Sequence, residues 1–206
     1  MATTLQQVKG YLDEKGFQYE LDEKKQIIRT GFNMDHYVAP DGEKAMPLAI
    51  RLQENGEYIE IYAPRLYMYK DGPNVLAMLQ ACLVASWRTT MVQFEYDPSD
   101  GEIRAAIELP LEDSTLTSRQ FHRMLKGLLE IVDKYHGMLK GAMDTGKIEP
   151  PEDEDRRMAE VMEMLRQLGP EGLKKILDMA GKAGGETPPA PVEEPAAGTG
   201  DPPATL

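Results

Sequence analysis

The sequence of 206 residues predicts an α+β fold, a twisted antiparallel sheet with helices on one face. Six segments carry apolar residues at every second position, which is typical of antiparallel strands with one buried and one exposed face. Three further segments carry apolar residues three and four positions apart, which indicates amphipathic helices. In chain order the prediction is one helix, four strands, one helix, two strands and one helix. Such elements bury their apolar faces against each other as two layers.

The first helix is predicted in the segment TTLQQVKGYLDEKG. Thr3 and Thr4 each have a glutamine three residues later, which is the spacing of a capping box. Gly16 is expected to end the helix, because glycine adopts the left-handed conformation of a helix C-terminus at little cost. One face of this helix carries the apolar residues Leu5, Val8 and Leu12.

Four strands are predicted next, in FQYELD, IIRTGF, MPLAIRLQ and EYIEIYAP. Short turns join them, apart from a longer loop near residues 34–45. In the third strand one face carries Met46, Leu48, Ile50 and Leu52. In the fourth strand the matching face carries Ile59, Ile61 and Ala63. This alternation predicts that one face of the sheet is buried and the other is exposed to water.

The second half of the predicted domain consists of a helix, a hairpin and a long helix. The second helix lies in DGPNVLAMLQACLVASWR, and its apolar positions are Val75, Leu76, Leu79, Cys82 and Leu83. A hairpin follows around the turn PSDG, where proline presets φ and glycine accepts a positive φ. Thr117 and Gln120 have capping-box spacing at the start of the third helix. Its apolar stripe comprises Phe121, Met124, Leu125, Leu128, Val132, Tyr135 and Leu139.

The composition changes after this domain, which we assign to residues 1–146. Residues 147–151 are predicted to be a linker, because Pro150 and Pro151 oppose helix formation. Residues 152–182 predict two short helices that are interrupted at Gly169 and Pro170. Residues 183–206 are rich in proline, glycine and alanine and are predicted to be a disordered tail.

The charge and the cysteine content of the chain exclude some classes of function. The formal net charge of −12 repels nucleic-acid phosphates and anionic lipids, so we predict no direct nucleic-acid or membrane binding. A lone cysteine, Cys82, cannot form an internal disulfide and fits a reducing compartment. The polar N-terminus lacks the apolar stretch of a secretory signal. We therefore expect a cytoplasmic protein.

The segment GAMDTGKI is similar to the phosphate-binding loop G-x-x-x-x-G-K but does not fit its chemistry. Ile148 stands where that loop needs a serine or threonine to bind magnesium. The segment also ends a predicted helix, whereas a phosphate loop follows a strand and begins a helix. We therefore interpret Gly141 and Gly146 as residues that end the helix.

Other candidate catalytic or metal-binding patterns are weak. The three histidines do not have metal-ligand spacing, and we interpret His122 and His136 as solvent-facing residues of the third helix. Cys82 falls on the apolar side of its helix without a nearby basic residue, which indicates a packing role. No nucleophile-elbow motif is found. We predict no catalytic residue, no cofactor and no metal, and interpret the protein as a non-enzyme.

A tyrosine-rich segment, IYAPRLYMYKDG, is the first candidate for partner binding. Tyrosine, methionine and arginine are enriched at protein interfaces. The alternative is that the end of this strand packs onto its own helices. The candidate binding residues are Tyr62, Arg65, Tyr67, Met68 and Tyr69.

A methionine-rich pair of helices after residue 152 is the second candidate. An apolar seam on short helices needs a partner surface to be stable. The seam therefore folds back on the domain, pairs across a dimer or binds a client polypeptide, and the sequence leaves these three alternatives open. Its candidate binding residues are Met158, Met162, Leu165 and Leu168.

About the first 145 residues resemble the YbjN family, which shares the fold of type III secretion chaperones. The resemblance depends on FQYELDEKKQIIRTGF, on the hairpin MPLAIRLQENGEYIEIYAP and on FEYDPSDGEIRAAIELPLEDSTLTSRQFHRMLKGLLEIVDKYHGML. It implies a small protein that dimerises and holds other polypeptides, or a regulator. The family has no common active site, so the resemblance implies no catalytic residue.

These observations together predict a non-enzymatic, homodimeric chaperone or adaptor that binds a protein client or a regulatory partner. Its binding surface is predicted to be the sheet and the strip of residues 62–69, with the C-terminal helices as a modulating arm. The alternative is a regulatory protein that senses a small molecule in a pocket between the sheet and the helices. An enclosed cavity would favour the second function, and a broad exposed apolar surface the first.

Overall fold

The computed structural model describes residues 2–152. Six strands in this part of the chain form one antiparallel sheet in the order β1-β2-β3-β4-β6-β5. Their bounds are β1 Tyr19–Asp22, β2 Ile27–Asn33, β3 Ala45–Gln53, β4 Tyr58–Met68, β5 Gln93–Tyr96 and β6 Glu102–Pro110. The α-helices are α1 Leu5–Asp13, α2 Val75–Arg88 and α3 Ser118–Thr145, and the 3₁₀ turn Glu54–Gly56 joins β3 to β4.

The predicted α+β fold and the order of its first nine elements are confirmed. The helices and the core-facing side chains of the strands bury one continuous apolar core. None of the helices that the structure describes is long and apolar enough to cross a membrane. The two predicted C-terminal helices and the predicted tail lie outside the described residues.

A row of isoleucines crosses the middle of the sheet on its buried face. Ile28 of β2 pairs with Ile50 of β3, and Ile50 pairs in turn with Ile61 of β4. Ile61 pairs with Ile107 of β6, and all four side chains are at most 1% exposed. Because successive residues of a strand point to opposite faces, this row fixes the register of four strands at once.

The sheet opens between the first half of β3 and the second half of β4. Residues 45–48 pair with β2 alone, since the β3–β4 pairing begins at Ala49 and Tyr62. Pro47 and Pro64 lie in the two segments that separate, and neither has an N–H group to donate to the ladder. A bulge between Ala63 and Tyr67 then shifts the register of β4 against β6.

The caps of two helices agree with the sequence prediction. Thr4 and Gln7 form the capping box of α1, and Thr117 and Gln120 form that of α3. Thr3 does not cap α1. Its hydroxyl instead accepts a hydrogen bond from the Leu116 backbone N–H at 2.9 Å, which ties the N-terminus to the start of α3.

The C-terminus of α3 corrects half of the sequence interpretation. Gly146 has φ +74° and caps the helix in the left-handed conformation, as expected. Gly141 lies inside the helix and does not end it. The helix continues because the residues after Gly141 still bury apolar side chains, among them the fully buried Ala142.

Replacement of Gly56 by alanine is expected to destabilise the protein by about 2 kcal/mol or more. Gly56 has φ +94°, and a Cβ atom there would lie 2.0 Å from the Thr3 carbonyl oxygen. Gly127→Ala is the matched control, since an added Cβ there meets no atom within 4 Å. That helix substitution is expected to stabilise by about 0.5–1 kcal/mol. Urea unfolding measures both, and equal midpoints for the two variants would contradict the role given to Gly56.

Candidate functional site

The tyrosine-rich strip, residues 62–69, does not form one continuous surface. Tyr62 lies half-buried on the face of the sheet that points away from the helices. Tyr67 is buried in the core, and Tyr69 is half-buried beyond the end of β4. Arg65 and Met68 are exposed. A binding role for the strip stays a prediction. It now concerns the three accessible residues, Tyr62, Arg65 and Met68.

Tyr67 belongs to a buried aromatic cluster with Tyr37 and His136. The Tyr67 hydroxyl lies 2.8 Å from Nδ1 of His136, and the two rings are stacked with an interplanar angle of 16°. The Tyr37 hydroxyl donates to the Leu66 carbonyl oxygen at 3.1 Å. Burial raises the pKa of Tyr37 to about 12 and raises the pKa of Tyr67 well above its usual range. Both hydroxyls therefore stay protonated and act as donors.

His136 is a buried residue, and the interpretation of it as solvent-facing was wrong. Its relative exposure is 9%, because α3 places it toward β4 and not toward solvent. Burial lowers the pKa of His136, and Lys140 and His36 lower it further, while Asp133 opposes the shift. At neutral pH the neutral imidazole therefore accepts a hydrogen bond from the Tyr67 hydroxyl at Nδ1.

Asp133 attaches the long loop between β2 and β3 to α3. One of its carboxylate oxygens accepts hydrogen bonds from the backbone N–H groups of His36 and Tyr37, both at 2.9 Å. Hydrogen bonds to a charged acceptor are among the stronger ones in proteins. The loop thereby holds Tyr37 in position against His136.

Tyr69 joins the start of α2 to the end of α3. Its hydroxyl donates to the Met143 carbonyl oxygen at 2.9 Å and accepts from the Asn74 backbone N–H at 3.2 Å. The Asn74 side-chain amide also donates to the Met143 carbonyl oxygen, at 3.0 Å. For Tyr69 the alternative that the strip packs onto its own helices therefore describes the structure.

The open face of the sheet, which points away from the helices, carries a buried carboxylate between two arginines. Glu60 is 1% exposed, and Arg51 Nε donates to its Oε2 at 2.8 Å. On the other side Arg104 lies 3.3 Å from its Oε1 and also donates to Glu95 at 2.6 Å. Both guanidinium groups lie over the ring of Tyr62, at 5.5 and 5.1 Å from its centroid. Removal of one of these partners would leave the buried charge uncompensated, which is strongly destabilising.

The outer face of α2 exposes large apolar side chains, and two of them, Leu76 and Leu83, are among the apolar positions predicted for this helix. Leu76, Leu83 and Trp87 are 79%, 71% and 89% exposed. The inward face carries the smaller or more flexible residues Met78, Ala81, Cys82 and Ala85. Small residues let α2 lie close to α3, so the core excludes the larger leucines. The sequence signal for such a surface is that α2 is apolar on all sides.

Cys82 is buried on the inward face of α2, in agreement with its predicted packing role. Burial raises the pKa of its thiol to about 12. The thiolate, which is the reactive form, is therefore scarcely populated at neutral pH.

Within residues 2–152, no three His, Cys, Asp or Glu side chains are grouped so that they could hold a metal ion. The predicted binding residues of the C-terminal seam lie outside the described residues. These are Met158, Met162, Leu165 and Leu168.

Comparisons with known proteins give similarities of fold only. No protein-family model matches the chain, and no curated protein is significantly similar to it. Among solved structures the chain is similar to YbjN from E. coli, with 16% identity and a TM-score of 0.48 over 66% of this chain and 90% of that chain.

Two complexes also contain similar chains. In the HopA1–SchA chaperone–effector complex the identity is 16% and the TM-score 0.42, over 64% of this chain and 88% of that chain. In the ExoU–SpcU complex from the type III secretion system of Pseudomonas aeruginosa the identity is 14% and the TM-score 0.41, over 66% of this chain and 98% of that chain. These similarities agree with the resemblance that the sequence predicts and say nothing of partner or activity.

The buried state of His136 is expected to make the protein less stable as the pH falls below about 6.5, the ordinary pKa of histidine. Because its pKa is lowered in the folded protein, the unfolded chain binds more protons in this range, which favours unfolding. Urea unfolding at pH 7 and pH 5 is expected to show a steeper loss for the wild type than for His136→Gln. His36→Gln, a change at an exposed histidine, is expected to reduce the slope only slightly, because His36 lowers the pKa of His136 less than burial does. Identical slopes for the wild type and His136→Gln would refute this account.

Proposed function

We propose that the protein is a non-enzymatic protein-binding protein that acts as a homodimer formed through the outer face of α2. The observation that carries this proposal is the exposure of Leu76, Leu83 and Trp87 on one side of one helix. Burial of apolar surface contributes about 25 cal/mol per Å², so three such side chains favour a covered state. Tryptophan is also enriched among the residues that dominate binding energy at interfaces.

The charge distribution of α2 fits association between identical chains. The helix contains no acidic residue, and Arg88 in its last turn is its basic residue. Two copies of a chain with a net charge of −12 repel each other, and an uncharged contact surface keeps this repulsion small. Carboxylates on the contact surface would have to lose water without gaining a partner.

The spacing of the exposed residues fits a two-fold symmetric pair. Leu76 and Trp87 lie eleven residues apart, and Leu83 lies between them. A two-fold axis near the middle of α2 brings two copies together as antiparallel helices. Trp87 then packs beside the partner's Leu76, and the two copies of Leu83 lie near the axis.

The open face of the sheet is the surface that we propose for a protein client. Tyr62 presents a ring between Arg51 and Arg104, and this combination of aromatic and guanidinium groups is common at interfaces. The surface is separate from the outer face of α2, so a dimer leaves it accessible on both subunits. The sequence resemblance to the YbjN family implies the same kind of activity. A cytoplasmic location, with Cys82 as a buried free thiol, belongs to the same proposal.

Replacement of Leu83 and Trp87 together by glutamine is expected to weaken the dimer by at least about 30-fold, the effect of losing a hot spot of about 2 kcal/mol. Analytical ultracentrifugation of the full chain is expected to give twice the chain mass of 23.1 kDa for the wild type and the single mass for the variant. Met68→Gln is the matched control, because Met68 is also an exposed apolar residue (43%) but lies on β4. A monomeric wild type, or equal dissociation of the control, would overturn the dimer proposal.

Replacement of Tyr62 by alanine is expected to reduce the amount of client that the full chain retains from an extract of its own organism by at least about fivefold, since a central aromatic contact contributes 1 kcal/mol or more. The dimer is expected to persist. Tyr58→Phe is the control, because it keeps the ring of an open-face tyrosine and removes only its hydroxyl. Retention of the same amounts of the same polypeptides by the wild type and Tyr62→Ala would contradict the proposal that the open face binds the client.

A further inference from the structure

A cleft of 590 Å³ lies where β3 and β4 separate. Its walls come from the ends of these two strands, from β2 and from the loop that joins β2 to β3. The lining is mainly apolar, and its accessible residues include Pro47, Pro64 and Met68. Volumes of this size are typical of sites for small molecules. The cleft is distinct from the outer face of α2 and from the tyrosine–arginine group of the open face.

The walls of the cleft are unsuited to the addition of a further strand. An added strand needs a row of backbone N–H donors on the edge that it joins. Pro47 on one wall and Pro64 on the other lack this group. The walls instead offer apolar side chains, so the cleft fits the side chains of a small ligand better than the backbone of a strand.

The two walls carry opposite charges. Arg65, on the β4 wall, is exposed, and no ion pair involves its guanidinium among the residues that the structure describes. Asp41 and Glu43, on the loop wall, are also exposed. The Asp41 carboxylate accepts a hydrogen bond from the Glu43 backbone N–H at 3.1 Å, which orders this part of the loop.

Arg65 is held at the cleft by an unusual backbone conformation. Its φ is +50°, in the left-handed region that residues other than glycine seldom adopt. The Arg65 backbone N–H donates to the Glu102 carboxylate at 2.7 Å, which helps to stabilise this conformation. Bulges commonly redirect a side chain near a functional site. Here the bulge in β4 places a cation on one wall of a mainly apolar cleft.

From these features we propose that the cleft binds a short apolar peptide with both ends free. The peptide carboxylate pairs with Arg65, its ammonium group with Asp41 and Glu43, and its side chains fill the apolar space. Three extended residues span about 10 Å. The volume of the cleft lies in the range of sites for small molecules, which admits a ligand of a few residues.

Calorimetric titration of the full chain with three probes tests this site. Trileucine has both charges, its C-terminal amide lacks the carboxylate, and N-acetyl-trileucine lacks the ammonium group. Trileucine is expected to bind on the order of tenfold more tightly than either analogue, because each loses one charge-assisted contact. If the three probes bind equally, the assignment of the charged ends is wrong.

Matched variants connect these differences to particular residues. In Arg65→Gln, trileucine and its amide are expected to bind equally, while the acetyl analogue still binds more weakly than trileucine. The double variant Asp41→Asn with Glu43→Gln is expected to show the reverse pattern. Arg29→Gln, which removes an arginine of β2 that does not line the cleft, is the control with wild-type affinities.

A variant that fills the cleft separates this proposal from binding elsewhere on the protein. Gly31 lines the cleft, and a Cβ atom there makes only an ordinary contact of 3.7 Å with the Met46 carbonyl oxygen. Gly31→Val is expected to lose trileucine binding and to unfold at a midpoint no lower than that of the wild type, because valine suits a strand better than glycine. Retained binding in this variant, or no binding of trileucine to the wild type at millimolar concentration, would overturn the proposal. The Leu83 and Trp87 variant is expected to bind trileucine with wild-type affinity, so the test of this cleft is independent of the test of the dimer.

Discussion

The register of the four central strands is the constraint on which both faces of the sheet depend. The pairing that places Ile50 beside Ile61 in the core also places Arg51 beside Glu60 on the open face. A slip of one residue would bring a charged side chain into the core and expose an isoleucine. The hydrophobic burial and the ion pairs therefore stabilise the same alignment. This agreement between two kinds of interaction favours one structure over its alternatives.

Helices α3 and α2 differ in which of their side chains they bury. Helix α3 buries a full stripe of large side chains and attaches the other elements, through Asp133 to the β2–β3 loop and through the Met143 carbonyl to the start of α2. Helix α2 offers its small residues to the core and its large ones to solvent. The molecule thus has an apolar surface on α2, a charged and aromatic surface on the open face of the sheet, and a mainly apolar cleft where β3 and β4 separate. The three surfaces therefore differ in their chemistry.

The sequence was sufficient to predict the elements, their order and two capping boxes, because these depend on neighbours a few residues apart. The sequence did not predict which side of α2 faces the core. Apolar residues lie on all sides of this helix, and only packing against α3 selects the small ones. The contact between His136 and Tyr67 likewise could not be predicted, because the two residues lie 69 positions apart in the sequence. The bulge at Arg65 depends on how β4 pairs with β6, and the cleft requires strands and a loop that meet only in three dimensions.

The buried thiol of Cys82 gives the protein an internal reporter of its own motion. A thiol reagent reaches this sulfur only when α2 moves away from α3, because burial both covers it and suppresses its thiolate. The chain has one cysteine, so the rate of labelling counts the openings of a single helix. Any molecule that binds the outer face of α2 holds the helix in place. It therefore slows the labelling of a sulfur atom that it never touches.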